Sequence, residues 1–270
     1  MNQVVAQGGP ASSHTVHSSV EMPRHRVLRS RTGVVVSAIL VAFAGFEIWT
    51  NTFGIMQAMK QGGVFVAFVL TLCFLLYPGW TRAPRDRVPA LDWLLAVMGA
   101  AVGLYIYFTY DAFALRRLEP TTLDLLMGGL AIVLVIEASR RVIGWALPTL
   151  AMVFLLYACF GYYLPAPLGH GGFTIQRIIT RMYLIDEGLF GITTRTAATY
   201  IFIFVLFGAF LTESGVGKFI TDLAYGLAGR LTGGAAKASV VASAVLGGLG
   251  TSAAANVATT GAFTIPLMKR

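Results

Sequence analysis

Apolar residues come in long runs along this chain, separated by short polar or basic segments. Gly33 to Trp49 is the first run, long enough to cross a bilayer once Thr50 to Ile55 is added. Val64 to Tyr77 is the second and stops at Pro78-Gly79-Trp80. Leu91 to Tyr107 is the third, with Tyr105, Tyr107 and Tyr110 placed as an interfacial aromatic belt. Leu123 to Ile136 makes the fourth, ending at Arg140-Arg141. Val142 to Tyr163 makes the fifth, ending at Leu164-Pro165-Ala166-Pro167. Gly169 to Arg195 has a different texture, alternating polar and apolar residues and carrying Arg177, Arg181, Asp186 and Glu187. It is too charged to span, which predicts an amphipathic helix lying along the interface. Ala197 to Leu211 is the sixth span. Thr212 to Leu231 sets Phe219, Leu223, Tyr225 and Leu227 between charges and suits a surface-lying connector.

The last stretch is the most informative. Gly247-Gly248-Leu249-Gly250-Thr251-Ser252-Ala253-Ala254-Ala255-Asn256 packs small residues, hydroxyls and one amide between two short apolar arms. Lys237 precedes the first arm, and Lys269 and Arg270 close the second. Basic residues mark the cytoplasmic side of a membrane segment, so the stretch is expected to enter and leave on one face. At 1.5 Å per residue, an arm such as Ala238 to Leu246 cannot cross a hydrocarbon core about 30 Å thick. The pattern predicts a re-entrant helical hairpin over about residues 233–268, with a glycine-loosened polar tip at mid-membrane. Irregular backbone at that depth is tolerated only inside protein or against a wet cavity, and transporters build ion and substrate sites from such broken helices. A helix–helix contact of the Gly-xxx-Gly type is the competing reading. Composition alone leaves the two even, and the basic flanks favour the hairpin. The fold class expected is all-α: a polytopic membrane bundle of about six transmembrane helices, one re-entrant hairpin and one interfacial amphipathic helix.

Composition agrees. Of 270 residues, 56% are hydrophobic and only 12% charged, about half the charged share of a soluble domain. The net charge of +8 would suit nucleic acid, but most Arg and Lys sit at the edges of apolar runs. Membrane orientation explains them better, and no nucleic-acid partner is expected. Residues 1–31 are polar and read as a disordered cytoplasmic tail. Arg24, Arg26, Arg29 and Arg31, then Arg82, Arg85 and Arg87, then Arg140-Arg141 alternate with less basic loops, which puts the N-terminus in the cytoplasm. Six crossings return the chain to the cytoplasm at Thr212, where the hairpin flanks belong.

Single residues separate into candidates and anchors. Glu47 is an intramembrane carboxylate, but its place near the outer end of the first span favours snorkelling or packing. Glu137 can reach Arg140 and Arg141 at i+3 and i+4, so a local ion pair is expected. Asp186 and Glu187 suit a solvated or docking face. Cys73 and Cys159 fall inside apolar runs and are expected to pack rather than bond to each other. His14 and His17 have a metal-like spacing with no supporting Cys or carboxylate. A serine nucleophile at Ser252 would need a base, and no histidine follows His170. With no P-loop, Cys/His cluster or dinucleotide fingerprint either, no enzyme is expected. The tip differs: Thr251, Ser252 and Asn256 offer uncharged oxygens, while Gly250 and its neighbours let carbonyls open toward a cation.

At several places the chain resembles the fused membrane permease of tripartite ATP-independent periplasmic (TRAP) transporters, the kind paired with TAXI-type solute-binding proteins. The residues carrying the resemblance are Leu184-Ile185-Asp186-Glu187-Gly188-Leu189-Phe190-Gly191, Phe207-Gly208-Ala209-Phe210-Leu211, Gly217-Lys218-Phe219 and Gly233-Gly234-Ala235-Ala236-Lys237. Ala255-Asn256-Val257 and Thr260 through Arg270 are the most specific. The resemblance implies that residues 32–122 correspond to the small four-helix subunit and 123–270 to the start of the large subunit. It further implies a sodium-coupled secondary transporter in the bacterial inner membrane. An organic anion such as a carboxylate would be delivered by a periplasmic binding protein. Sodium would bind partly at Gly250, Thr251, Ser252 and Asn256, with Ser252 and Asn256 as side-chain ligands. Where the family carries Ser-Gly-Ser, this chain reads Gly250-Thr251-Ser252. The family's large subunit resembles two inverted repeats, each with a hairpin, so a fragment of a longer reading frame is expected, or a second polypeptide that completes the site. The alternative is a non-transporting helical scaffold or truncated remnant.

Overall fold

The computed structural model describes residues 26, 28, 31–54, 56–80, 87–116, 119–165, 167–228 and 232–249. Among them every regular element is helical: α1 (Arg31–Thr52), α2 (Ala58–Leu76), α3 (Ala90–Leu115), α4 (Thr122–Val142), α5 (Ala146–Phe160), α6 (Ile175–Ile179), α7 (Ile192–Thr196), α8 (Phe202–Glu213), α9 (Val216–Ala228) and α10 (Gly234–Leu249). Six helical stretches are long and apolar enough to cross a membrane, namely Thr32–Thr52, Ala58–Leu76, Ala90–Leu115, Thr122–Val142, Ala146–Tyr163 and Ile192–Phe210. These are the six spans read from the sequence, with shifted ends. α2 starts six residues before Val64 because its polar first turn is satisfied: Lys60 pairs with Asp111 at 2.5 Å. α4 continues past Ile136 because Glu137 neutralises Arg140 and Arg141 on the same helix. The fifth span begins only after Gly144, whose φ of +96° ends α4.

α2 is the most enclosed helix, with Phe74 and Leu75 fully buried. Helices in lipid gain little from hydrophobic burial against one another, so close packing and polar bonds must hold them. The α2–α3 seam shows how. A β-carbon on Gly63 would lie 2.8 Å from the Gly103 carbonyl oxygen, and one on Gly99 would lie 2.7 Å from the Leu70 β-carbon. Gly63, Ala67, Gly99 and Gly103 are therefore a small-xxx-small contact that lets two backbones touch. Outward positions such as Val34, Val41, Leu94, Val97, Val133 and Phe154 remain exposed, as lipid-facing side chains should.

The segment expected at the interface is shorter and more firmly seated than an amphipathic strip on a surface. α6 runs on as a π turn (Thr180–Leu184), and Tyr183 and Leu184 are buried. Gly128 of α4 receives it: a β-carbon there would meet Ile179 at 2.5 Å. Arg181 and Arg195 stay exposed and pair with Glu187 and Asp186 respectively. The sixth span then starts at Ile192, five residues before Ala197, and passes through a second π turn (Ala197–Ile201) into α8.

Candidate functional site

α9 and α10 precede the stretch expected to form the hairpin tip. Gly215, at φ +79°, releases the chain from α8 into α9, and Gly233, at φ +72°, turns it from α9 into α10. Ala224 and Ala228 of α9 and Ala238 and Ala242 of α10 are buried together, with Ile220 against them. All four are alanines at i, i+4 spacing, so the two axes approach closely. Phe219, Leu223 and Leu227 on α9 stay exposed, as does Lys237 in the first turn of α10. The described part of α10 runs 16 residues to Leu249, about 24 Å at 1.5 Å each. It begins before the Ala238–Leu246 stretch read from the sequence and continues past it. Gly250, Thr251, Ser252 and Asn256, the expected sodium ligands, lie outside the described residues, as do Lys269, Arg270, His14 and His17.

Among the described residues, the buried charged side chains Arg26, Glu47, Asp92 and Asp124 fall into three polar clusters. At the end of α2, Arg26 is buried and donates to the carbonyls of Phe74 (3.3 Å) and Leu75 (3.1 Å) and to Asp92 (2.5 Å). Asp92 also accepts from Arg141 at 2.8 Å, and Arg141 and Arg140 both bind Glu137 at 2.7–2.8 Å. The expected Glu137 pairs are present, but they belong to a larger network through Asp92. Arg26 falls within the stretch read as a tail, and no local pattern marked it, because its partners lie 48 to 66 residues away.

The second cluster surrounds Asp124, which is fully buried. Its Oδ1 accepts from the Tyr105 hydroxyl at 2.6 Å, and its Oδ2 accepts from Arg116 at 3.0 Å and from the Thr121 backbone and hydroxyl at 2.8 Å. Thr121 and Asp124 form a capping box at the start of α4. A threonine followed three residues later by an acid, just before an apolar run, was the available signal. Beside it, Tyr183 donates to the Val102 carbonyl at 2.6 Å. Burial pushes the Tyr183 phenol well above its ordinary range, with smaller contributions from Tyr105 and Asp124.

The third cluster is at Glu47, which is fully buried rather than snorkelling. Asn51 Nδ2 donates toward Glu47 Oε2 (3.1 Å), the Glu47 carbonyl (2.8 Å) and the Ala198 carbonyl (3.1 Å). Elsewhere, Cys73 and Cys159 are free thiols, and among the described residues no cluster of three metal-ligating side chains occurs. Polar groups inside such a bundle are costly, so the clusters join α1 to the sixth span and α2, α3 and α4 to one another.

No match was found among curated proteins or among solved structures. A family model does match: that of the tripartite ATP-independent periplasmic transporter, DctM component, over residues 130–270, slightly more than half the chain. It spans most of α4, the α6 segment, the sixth span, α9 and α10. With six helical stretches long and apolar enough to cross a membrane and this match over more than half its length, the chain belongs to the family of TRAP transporter DctM membrane components.

Proposed function

We propose that this chain is the membrane permease part of a sodium-coupled TRAP importer that moves organic anions, carboxylates in particular, across the bacterial inner membrane. A TAXI-type periplasmic binding protein delivers the substrate, and the second half of the permease supplies the facing hairpin. The observation that carries the reading is the family match over residues 130–270, which takes in the whole glycine-rich stretch. The N-terminus is cytoplasmic, residues 32–122 act as the small subunit, and α9 lies on the cytoplasmic surface as the hairpin's support.

Chemistry at the tip follows from the residues. An alkali cation needs several oxygens, and the Ser252 hydroxyl and Asn256 amide oxygen can supply two, with Gly250 and Thr251 providing opened backbone. A helix restarting beyond the tip would turn its positive dipole end inward, which suits a substrate carboxylate beside the ion. Uptake is to be measured in proteoliposomes with the full-length permease and its binding protein. Uptake should require a sodium gradient, and Ser252→Ala and Asn256→Ala should weaken sodium activation more than they weaken maximal uptake. An unchanged sodium response in Asn256→Ala would remove the site assignment.

A further inference from the structure

Glu47 is a buried carboxylate with half its bonding capacity unused. Its Oε1 is buried without a hydrogen-bond partner. Asn51 Nδ2 has two hydrogens to offer, and three acceptors stand within 3.1 Å of it: Glu47 Oε2, the Glu47 carbonyl and the Ala198 carbonyl. Thr50 spends its hydroxyl hydrogen on the Phe46 and Glu47 carbonyls at 2.9 and 3.3 Å, while the Gln61 amide approaches the Glu47 side chain and faces the Thr50 hydroxyl at 3.5 Å. Nor does a basic side chain cancel the charge. On α2, Lys60 is bound to Asp111, and on the sixth span Arg195 is bound to Asp186. Among the described residues, no salt bridge includes Glu47. An isolated buried carboxylate is among the most expensive arrangements in a low-dielectric interior, so the niche is short of one positive charge.

The niche sits where it can be felt. Asn51 links Glu47 to the carbonyl of Ala198, inside the π turn Ala197–Ile201 of the sixth span. Such turns are associated with functional sites, because their looser ladder leaves carbonyls available to other partners. Phe43, one turn before Glu47, packs on Phe202 just past that turn, with ring centroids 4.7 Å apart. One side chain therefore joins the first span to an irregular segment within the family-matched region.

We propose that Glu47, Asn51 and the Ala198 carbonyl form a site for an exchangeable monovalent cation, either a proton or an alkali ion, remote in sequence from the hairpin tip. Occupancy supplies the missing charge and tightens α1 against the π turn; vacancy loosens that contact.

The test uses the full chain in lipid nanodiscs. Hydrogen–deuterium exchange is followed over residues 40–52 and 192–201 while sodium replaces a large organic cation at constant ionic strength, and separately while pH is lowered. Infrared difference spectra report any protonated carboxylic acid. In wild type, sodium or acid should slow exchange in both segments, and Glu47→Gln, neutral from the start, should lose that response. A carboxylic-acid band absent from Glu47→Gln identifies the proton; a sodium response without the band identifies the alkali ion. Wild-type exchange that ignores both sodium and pH would overturn the proposal, and this arm needs no variant to fold. A response retained in Glu47→Gln but lost in Asn256→Ala would place its origin at the hairpin tip and overturn the proposal as well.

Discussion

Gly103 of α3 lies against Gly63 of α2 so closely that a β-carbon on Gly103 would stand 2.5 Å from the Gly63 carbonyl oxygen and 2.5 Å from the Ala67 backbone nitrogen. Neither neighbour is a flexible side chain that could swing away. The closeness is a property of the two backbones and holds the N-terminal helices together where water cannot.

Gly103→Val should therefore force α2 and α3 apart, at a cost of about 1–3 kcal/mol or more, the range for overpacked interiors. Gly45, whose β-carbon would meet nothing within 4 Å, is the control, and Gly45→Ala should leave stability nearly unchanged. Thermal unfolding of the two variants in the same detergent checks the contrast. Equal unfolding temperatures would remove the seam from the account of stability.

Asp92 balances two buried arginines, Arg26 at 2.5 Å and Arg141 at 2.8 Å. Asp92→Ala leaves both guanidinium groups without that counter-charge, and breaking a buried pair of this kind costs about 3–5 kcal/mol. Arg26→Met, which removes one charge and keeps the volume, should cost much less. Unfolding midpoints of both variants test the order, and a larger loss in Arg26→Met would reverse it.

Tyr183 makes stability pH-dependent on the alkaline side. Its phenol is pushed up in the folded protein, while the unfolded chain keeps the ordinary value of about 10. The stabilising contribution is complete below the unfolded value and is lost as pH rises above it, because unfolding then releases a proton. Tyr183→Phe should lose about 1 kcal/mol at neutral pH from the missing bond to Val102 and should show a shallower decline above pH 10. Stability curves of the two proteins between neutral and alkaline pH decide it; parallel curves would exclude Tyr183 as the source.

Orientation is open to a direct test. Single cysteines at Lys237 and Lys269, in a background without Cys73 and Cys159, should both resist a membrane-impermeant thiol reagent added outside intact cells. Cysteines replacing Arg181 and Arg195 should both react, because these residues flank one exposed turn and pair with Glu187 and Asp186 within it. Labelling of only one member of either pair would convert that segment into a true span.

By itself the sequence determined the elements. Long apolar runs have few alternatives in lipid, since backbone groups there must bond within their own segment, and the six spans emerged with only their ends displaced. The capping box at Thr121 and Asp124 and the Glu137 pairs are likewise local, spaced three or four residues apart. Tertiary structure alone decided the rest. Arg26 meets Asp92 across 66 residues, Asn51 meets Ala198 across 147, and Gly63 meets Gly103 only because two helices pack side by side. No periodicity encodes such pairs. Polar residues at the ends of apolar runs extended helices where a partner waited, as Lys60 and Glu137 did. Glu47 turned inward because the sixth span supplied a face to bury it, so what reads in sequence as an interfacial carboxylate is a buried one in the fold.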